Sequence, residues 1–373
     1  MPHEVWFWQT IVTPHMAGLA AALASRGVEV TYVAEQEMSL ARSAQGWQAP
    51  DLGAARLSFA ATSESAKALV AAAPADSIHI CQGLRGNRLI GRVQQELARR
   101  ELKQWVVVET VDDSGWRGAL KRLDYQRRIL FWRNRLEGIL AIGHSTSGWF
   151  AARGMPMERI FQFAYFLPPA SARFPVEDAA ARPQRPFRFL FVGQFIERKR
   201  LDLLVEALAE LDHVDFSLTV IGSGPLESSL RAKAENALAG RINWLGRQPY
   251  TAMAEHMANA DCLVLPSRFD GWGAVVSEAL MAGTPAICSD SCGVAGAVRA
   301  SRWGGVFRSG DCQGLREQLV QIMRQGSISA ADRKRLANWA LCLGADFGAG
   351  YLSSILFPGS VARPPWLETA EVE

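Results

Sequence analysis

Short apolar runs alternate with longer amphipathic segments through the first half of the chain. The strand-like runs are VWFW, VEVTYVA, SIHIC and WVVVET, and the helical segments among them cover residues 15–26, 63–73 and 88–102. Strands separated by helices of this length are typical of parallel βαβ units. The pattern therefore predicts an α/β fold with a parallel sheet.

The same alternation restarts after residues 168–187, a segment with five prolines and no apolar period that is typical of a linker. The second set of strands is predicted at FRFLFVG, FSLTVIG, INWLG, CLVLPS and PAICSD. Helices are predicted over residues 200–211, 225–237, 250–258 and 275–282. Residues 331–356 are predicted to form terminal helices that pack back on the first domain.

Length and composition agree with two globular domains. A chain of 373 residues is longer than a typical single domain. Its content of 49% hydrophobic and 21% charged residues is that of a globular protein. A net charge of +3 does not favour a molecule built as a whole to bind nucleic acid. Six dispersed cysteines and a start without signal-peptide features favour a cytoplasmic setting.

Neither a metal site nor a membrane span is expected. Cys288 and Cys292 lack a second Cys/His pair at zinc-like spacing, so buried or free thiols are favoured. The chain has no uninterrupted apolar run of about 20 residues, which argues against a transmembrane helix.

Residues 264–287, VLPSRFDGWGAVVSEALMAGTPAI, carry the strongest functional signal. A strand leads into a glycine-bracketed loop and then a helix, the local geometry that offers unpaired main-chain N–H groups to a phosphate. Asp270 and Glu278 stand on either side of the helix start. Carboxylates beside a phosphate cradle predict a sugar-nucleotide site.

Four motifs in order make the second half resemble a retaining glycosyltransferase of family 4. They are FLFVGQFIERKRLDLLVEAL, LTVIGSGPLESSL, INWLG and DCLVLPSRFDGWGAVVSEALMAGTPAI. The resemblance implies the GT-B fold, with two facing Rossmann-like domains. It implies an acceptor-binding domain over 1–168, a linker over 169–186, a nucleotide-sugar domain over 187–340, and a terminal segment, 341–373, that packs on the first domain.

The family's reaction moves a sugar from a nucleoside diphosphate donor to an acceptor hydroxyl with retention at the anomeric carbon. The departing diphosphate itself helps to take the acceptor proton, and neither a metal nor any cofactor besides the donor is expected. A fixed cation stabilises that diphosphate more in the transition state than in the ground state. Lys199 matches the family's lysine in this role, and Arg198 shares it because Gln194 stands where many members have arginine.

The acid pair and the glycine turns complete the implied donor site. Asp270, in place of the usual glutamate, is assigned to the donor sugar's hydroxyls and Glu278 to the ribose hydroxyls. Asp270 joins Lys199, Arg198 and Asp112 as the catalytic set. The donor-binding set is Gly193, Gly222, Gly224, Arg247, Gly271, Trp272, Gly273, Ala274, Val275, Glu278 and His15.

The first domain offers fewer signals. His15 follows Thr13 and Pro14 at the start of the first helix, where the family has a glycine loop, and either donates a hydrogen bond to the donor or caps the helix. Glu109 and Asp112 follow a strand at the ligand edge of a parallel sheet. Either of them orients the acceptor hydroxyl, or both are ordinary loop acids.

Residues 116–140 interleave seven arginines and lysines with tryptophan, phenylalanine, leucine and isoleucine. A basic helix with aromatic residues binds a bilayer surface because its apolar side chains are buried there and its positive charges attract anionic headgroups. The alternative is a core helix whose cationic face is solvated. Both interpretations stay open from the sequence.

The predicted function is a hexosyltransferase of polysaccharide, lipopolysaccharide or glycolipid biosynthesis. Its expected partners are a nucleoside diphosphate sugar, a saccharide or lipid-linked acceptor, and an anionic membrane surface at the inner face of the cell membrane, with no nucleic acid. The alternatives are a non-catalytic nucleotide-sugar-binding partner in a polysaccharide assembly complex and a GT-B sugar-nucleotide epimerase. A phosphorylase lacks an evident pyridoxal lysine, and a dehydrogenase lacks the dinucleotide fingerprint.

Overall fold

A computed structural model describes residues 4–38, 50–84, 88–168, 185–211, 214–357 and 363–368. The chain divides into two compact units. The first is Met1–Pro168 with Gly344–Pro365, and the second is Pro169–Leu343 with Trp366–Glu373. Most of the predicted linker, residues 169–184, lies outside the described residues.

The first unit is built on a parallel sheet whose central strands are buried on both faces, as their continuous apolar sequences require. The strands are β1 (Glu4–Ile11), β2 (Glu29–Gln36), β3 (Arg56–Phe59), β4 (Ile78–Gln82), β5 (Lys103–Glu109), β6 (Gly138–Ile142) and β7 (Ile160–Phe163). Their order in the sheet is β3-β2-β1-β4-β5-β6-β7. The order reverses between β1 and β4, and such a switch point opens a crevice at the carboxyl ends of the strands.

Helices cover this sheet and include one from the end of the chain. The helices are α1 (Pro14–Ser25), α2 (Ser63–Ala72), α3 (Arg88–Arg99), α4 (Gly115–Trp132), α5 (Thr146–Ala151) and α13 (Ala345–Leu356). Helix α13 packs against α1. Gly348 makes that return possible, because a Cβ there would lie 2.3 Å from the Phe166 ring.

The second unit repeats the architecture. Its strands are β8 (Phe187–Val192), β9 (Phe216–Ile221), β10 (Ile242–Gly246), β11 (Cys262–Leu265), β12 (Ala286–Ser289) and β13 (Gly304–Phe307). They are parallel and lie in the order β10-β9-β8-β11-β12-β13, with the reversal between β8 and β11. The loops after β8 and β11 therefore meet at the switch point of this sheet.

The helices of the second unit are α6 (Leu201–Ala209), α7 (Glu227–Ala237), α8 (Tyr250–Asn259), α9 (Ala274–Met281), α10 (Ala295–Ser301), α11 (Cys312–Gln325), α12 (Ala330–Ala340) and α14 (Pro365–Glu368). A core of phenylalanine, leucine and valine side chains joins β8, β9, α6 and α11. The prediction of parallel α/β architecture is confirmed in both halves.

Four details of the prediction were wrong. Of the terminal segment 331–356, only α13 belongs to the first unit, because residues up to Leu343 cluster with the second. The helix expected over 88–102 ends at Arg99, because Glu101 adopts a φ of 55° and β5 begins two residues later. The helix expected from residue 200 starts at Leu201, since Arg200 has a φ of 52°. The basic segment 116–140 is not one helix, because Gly138–Ile142 is the buried strand β6.

No helix in the described ranges combines the length and the apolar composition needed to cross a bilayer.

Candidate functional site

The loop between β11 and α9 is shaped by Gly273. This residue starts the helix with φ 97° and ψ 55°, a conformation that non-glycine residues rarely adopt. A Cβ at this position would lie 2.9 Å from Leu265 Cδ2 and 3.3 Å from Val294 Cγ1. The backbone angle therefore favours glycine here, and any larger residue would also displace buried side chains.

The loop presents a run of main-chain donors. Within the part of the chain that the structure describes, five successive N–H groups have no protein acceptor. The loop is nevertheless held in place, because Asp270 N donates to Ser291 O at 3.1 Å and Val294 N donates to Trp272 O at 2.8 Å. A fixed row of unpaired amides at a helix start is a general anion-binding arrangement. The five residues are Gly271, Trp272, Gly273, Ala274 and Val275.

The cation predicted for the diphosphate lies against this loop. Lys199 ends a short 3-10 helix, Glu197–Lys199, that follows β8. Its Nζ donates to Asp270 Oδ2 at 2.5 Å, and both side chains are largely buried. The hydrogen bond fixes the position of the Lys199 side chain, so the structure brings together the predicted cation and the first predicted acid.

Arg198 reinforces the contact between the two loops. Its Nη1 donates to Phe269 O at 2.9 Å and lies 3.6 Å from Asp270 Oδ2. In return, Arg268 N donates to Arg198 O at 2.8 Å. Beside these residues lies an open pocket of about 400 Å³, lined by Ile196, Glu197, Arg198, Pro225, Leu226 and Arg268.

The glycines of the GSGP turn serve close packing. A Cβ on Gly222, whose φ is 139°, would lie 1.9 Å from Gly193 O, and one on Gly224 would lie 2.5 Å from Phe195 O. The turns after β8 and β9 therefore touch through their backbones. Arg247 lies at the same edge of the sheet, and its Nε donates to Ser223 Oγ at 2.5 Å.

Glu278 lies on α9, one turn inside the helix that starts at the amide row. Desolvation of its carboxyl group raises the pKa of Glu278 to about 7. Tyr250, the first residue of α8, is close enough to Glu278 for the carboxylate charge to affect its hydroxyl. Partial desolvation of its hydroxyl, and then the charge of Glu278, raise the pKa of Tyr250 to about 12.

Tyr250 is a neighbour of Glu278 that was not among the predicted site residues. The available signal was an aromatic residue at the start of the helix after INWLG, the segment that the resemblance places near the nucleotide.

The first unit gathers a separate set of predicted residues at the carboxyl edge of its own sheet. The His15 ring stacks on Tyr165, with centroids 4.7 Å apart. The Tyr165 hydroxyl donates to Glu109 Oε1. Asp112 instead accepts from Ser114 N at 3.1 Å and from Ser114 Oγ at 2.7 Å, at the start of α4. Of the two acids, Glu109 is the one that the structure links to His15.

No group of three or more His, Cys, Asp or Glu side chains within the described residues is arranged to hold a metal ion.

The family comparison covers the part of the chain that contains the Lys199–Asp270 pair. Residues 176–340 match the family described as Glycosyl transferases group 1. The matched residues, which make up less than half of the chain, include β8 to α12 with both loops of the switch point.

Among curated proteins, the chain is similar to the phosphatidyl-myo-inositol mannosyltransferase of Mycobacterium leprae. The two are 26% identical over 223 residues, which is 56% of this chain and 58% of that protein. The matches span only 39% to 58% of the length of the first curated relatives.

Solved structures resemble nearly the whole chain. The lipopolysaccharide outer core galactosyltransferase WaaB, in its apo form, has a TM-score of 0.70 at 16% identity, covering 95% of this chain and 99% of that one. Anabaena Alr3699/HepE in complex with UDP-glucose has a TM-score of 0.68 at 12% identity, with the same coverage. The predicted GT-B fold of two parallel α/β domains is confirmed.

Proposed function

We propose that this protein transfers a sugar from a nucleoside diphosphate sugar to an acceptor hydroxyl, with retention at the anomeric carbon. One observation carries the proposal: Lys199 Nζ donates at 2.5 Å to Asp270 Oδ2, at the start of a loop in which, among the described residues, five successive amides have no protein acceptor. The match of residues 176–340 to the group 1 glycosyl transferases supports it. The complex of Alr3699/HepE with UDP-glucose supports a nucleotide-sugar donor.

The amide row and Lys199 would receive the diphosphate of the donor. As the glycosidic bond breaks, negative charge grows on the leaving oxygen, and fixed N–H groups with a fixed ammonium stabilise that charge without having to reorganise. Asp270 holds Lys199 in place before the donor binds. In the assignment that the resemblance implies, the other carboxylate oxygen of Asp270 would accept from hydroxyls of the donor sugar.

Glu278 would bind the ribose hydroxyls of the donor. A carboxylate with a pKa near 7 exchanges its proton close to neutral pH, so two hydroxyl donors on a bound ribose favour its ionised form. Donor binding is then expected to lower the pKa of Glu278 and to release a proton.

In this proposal the acceptor binds to the first unit, where Glu109 orients the acceptor hydroxyl. Glu109 accepts from Tyr165, whose ring stacks on His15 at the carboxyl edge of the sheet, whereas Asp112 accepts from Ser114 at the start of α4. The printed names of WaaB and of the Mycobacterium leprae mannosyltransferase support lipopolysaccharide or glycolipid biosynthesis as the setting. The comparisons do not favour the binding-module or epimerase alternatives.

Release of nucleoside diphosphate from a panel of sugar nucleotides, with and without an acceptor extract, tests the transfer. Acceptor-dependent release that Lys199→Ala abolishes and Lys233→Ala preserves would support it, because Lys233 is an exposed lysine paired with Glu206 in the same unit. Nucleotide binding without release in any mixture would refute it. The anomeric coupling constant of the product in proton NMR tests retention, and activity in excess EDTA tests metal independence.

A further inference from the structure

Helix α4 carries apolar residues on two opposite faces. On the inner face, Ile129 and Trp132 are buried and pack with Val106 of β5 and Ile139 of β6. Gly118 lies on the same face and packs against the main chain of Asp113, so that a Cβ on Gly118 would lie only 1.6 Å from Asp113 O. The inner face alone accounts for the attachment of the helix to its sheet.

The outer face bears large apolar side chains that contact water. Trp116 is 73% exposed, Leu120 61% and Phe131 58%. Their helical spacing places them on one side together with Leu123 and Leu130, which are also exposed. These five residues form the outer stripe. A continuous apolar stripe on a helix surface marks an interaction site.

Positive charge surrounds the outer stripe. Residues 115–135 contain seven arginines and lysines and one acid, whereas the whole chain has a net charge of only +3. Arg127 lies within the stripe and, among the described residues, has no carboxylate within 4.0 Å. The Arg117 guanidinium lies over the Trp116 ring, 5.1 Å from its centroid. Exposed apolar and cationic groups are thus interleaved on one surface.

We propose that the outer stripe docks on the surface of an anionic lipid bilayer. Leucine and aromatic side chains are stabilised when they enter the boundary between headgroups and acyl chains, because apolar surface leaves water. Arg117 and Arg127 are attracted electrostatically by the lipid phosphates. A second copy of the chain is a poorer occupant, since pairing two such stripes brings like charges together. This inference goes beyond the transfer reaction and does not depend on the donor.

Vesicle sedimentation of the full chain tests the proposal. The vesicles contain either equal parts of phosphatidylglycerol and phosphatidylcholine, or phosphatidylcholine alone. The variant Leu120→Ser/Phe131→Ser removes stripe side chains. Its matched control, Leu341→Ser/Phe347→Ser, removes one leucine and one phenylalanine that are about half exposed elsewhere on the molecule.

The charge variant is Arg117→Gln/Arg127→Gln, with Arg99→Gln/Arg335→Gln as its control, because Arg99 and Arg335 are exposed arginines on other helices. If the outer stripe docks on anionic bilayers, the wild-type protein should sediment with the vesicles that contain phosphatidylglycerol. We expect the charge variant to bind about 30-fold more weakly than its control at low salt. The stripe variant should bind at least about tenfold more weakly than its own control.

Three results would overturn the proposal. The first is no sedimentation of the wild-type protein with anionic vesicles. The second is equal binding of both variants and their controls. The third is a concentration-dependent dimer in sedimentation velocity that Leu120→Ser/Phe131→Ser abolishes while leaving vesicle binding intact, which would assign the stripe to a second copy. If the stripe variant fails to fold by circular dichroism, the charge variant decides alone.

Discussion

Replacing Gly273 by alanine tests whether the amide row depends on a backbone that only glycine permits. Two costs are expected. Holding an L-residue at a φ of 97° costs about 1–2 kcal/mol. A Cβ placed 2.9 Å from Leu265 Cδ2 forces a shift in a packed core, and overpacking of this kind costs about 1–3 kcal/mol. Together they predict a destabilisation of about 2–5 kcal/mol.

Gly240 provides the matched control. It also has a positive φ, 74°, but a Cβ there would have no atom within 4 Å. Gly240→Ala should therefore show the backbone cost alone, about 1–2 kcal/mol. Urea unfolding followed by circular dichroism gives both values. Equal destabilisation by the two substitutions would refute the claim that packing around Gly273 fixes the loop.

The same pair of variants also separates stability from binding. Gly273→Ala displaces the amides of the loop, so nucleoside diphosphate affinity should fall at temperatures where the variant is still folded. Gly240→Ala lies away from the loop and should bind normally. Unchanged affinity in a folded Gly273→Ala protein would contradict the assignment of the diphosphate to this loop.

Three further predictions concern side chains. Lys199→Ala should lower turnover at saturating donor by about 10²- to 10³-fold, measured as diphosphate release, while Lys233→Ala should not; similar rates in the two would contradict the electrostatic role. Because the folded-state pKa of Glu278, about 7, lies above its ordinary value of 4.5, the folded chain binds the extra proton in that window. Stability should therefore fall as pH rises from 4.5 to 7, and Glu278→Gln should flatten this dependence in thermal unfolding; an identical slope in both proteins would reject it. Asp261→Ala removes a fully buried carboxylate that accepts from Arg185, Arg333 and the main chain of Arg188, so urea unfolding should show a loss of about 3–5 kcal/mol. The partly exposed Asp332→Ala should lose less than about 1 kcal/mol, and similar losses in the two variants would contradict the burial argument.

The sequence predicts the core of the fold well because long apolar strands and helix periods are local signals. The alternation from VWFW to WVVVET and from FRFLFVG to PAICSD corresponds to observed strands and helices. Short elements were missed for a physical reason. In β3, Arg56–Phe59, the strand is largely exposed, so its sequence lacks a continuous apolar run.

The basic segment shows where a local pattern misleads. GILAI follows Arg133 and Arg135 without a proline or a long polar break, so the change from helix to strand is not evident from the sequence. The sheet decides it, because Gly138–Ile142 pairs with β5 and β7. Which face of α4 contacts water is equally a property of packing.

The donor site was predicted as a set of residues but not as a set of contacts. The distance in sequence between Lys199 and Asp270 gives no indication that the two side chains bind each other. Their contact follows from the strand order, because β8 and β11 are neighbours in the sheet and their loops meet. The same reasoning could not have placed Tyr165 between His15 and Glu109, since β7 itself was not predicted.

A crystal structure of the protein with a bound nucleoside diphosphate tests the central claim most directly. We predict phosphate oxygens within hydrogen-bond distance of the amides of residues 271–275 and of Lys199 Nζ. A diphosphate bound elsewhere, with this loop and Lys199 making no contact to it, would contradict the account.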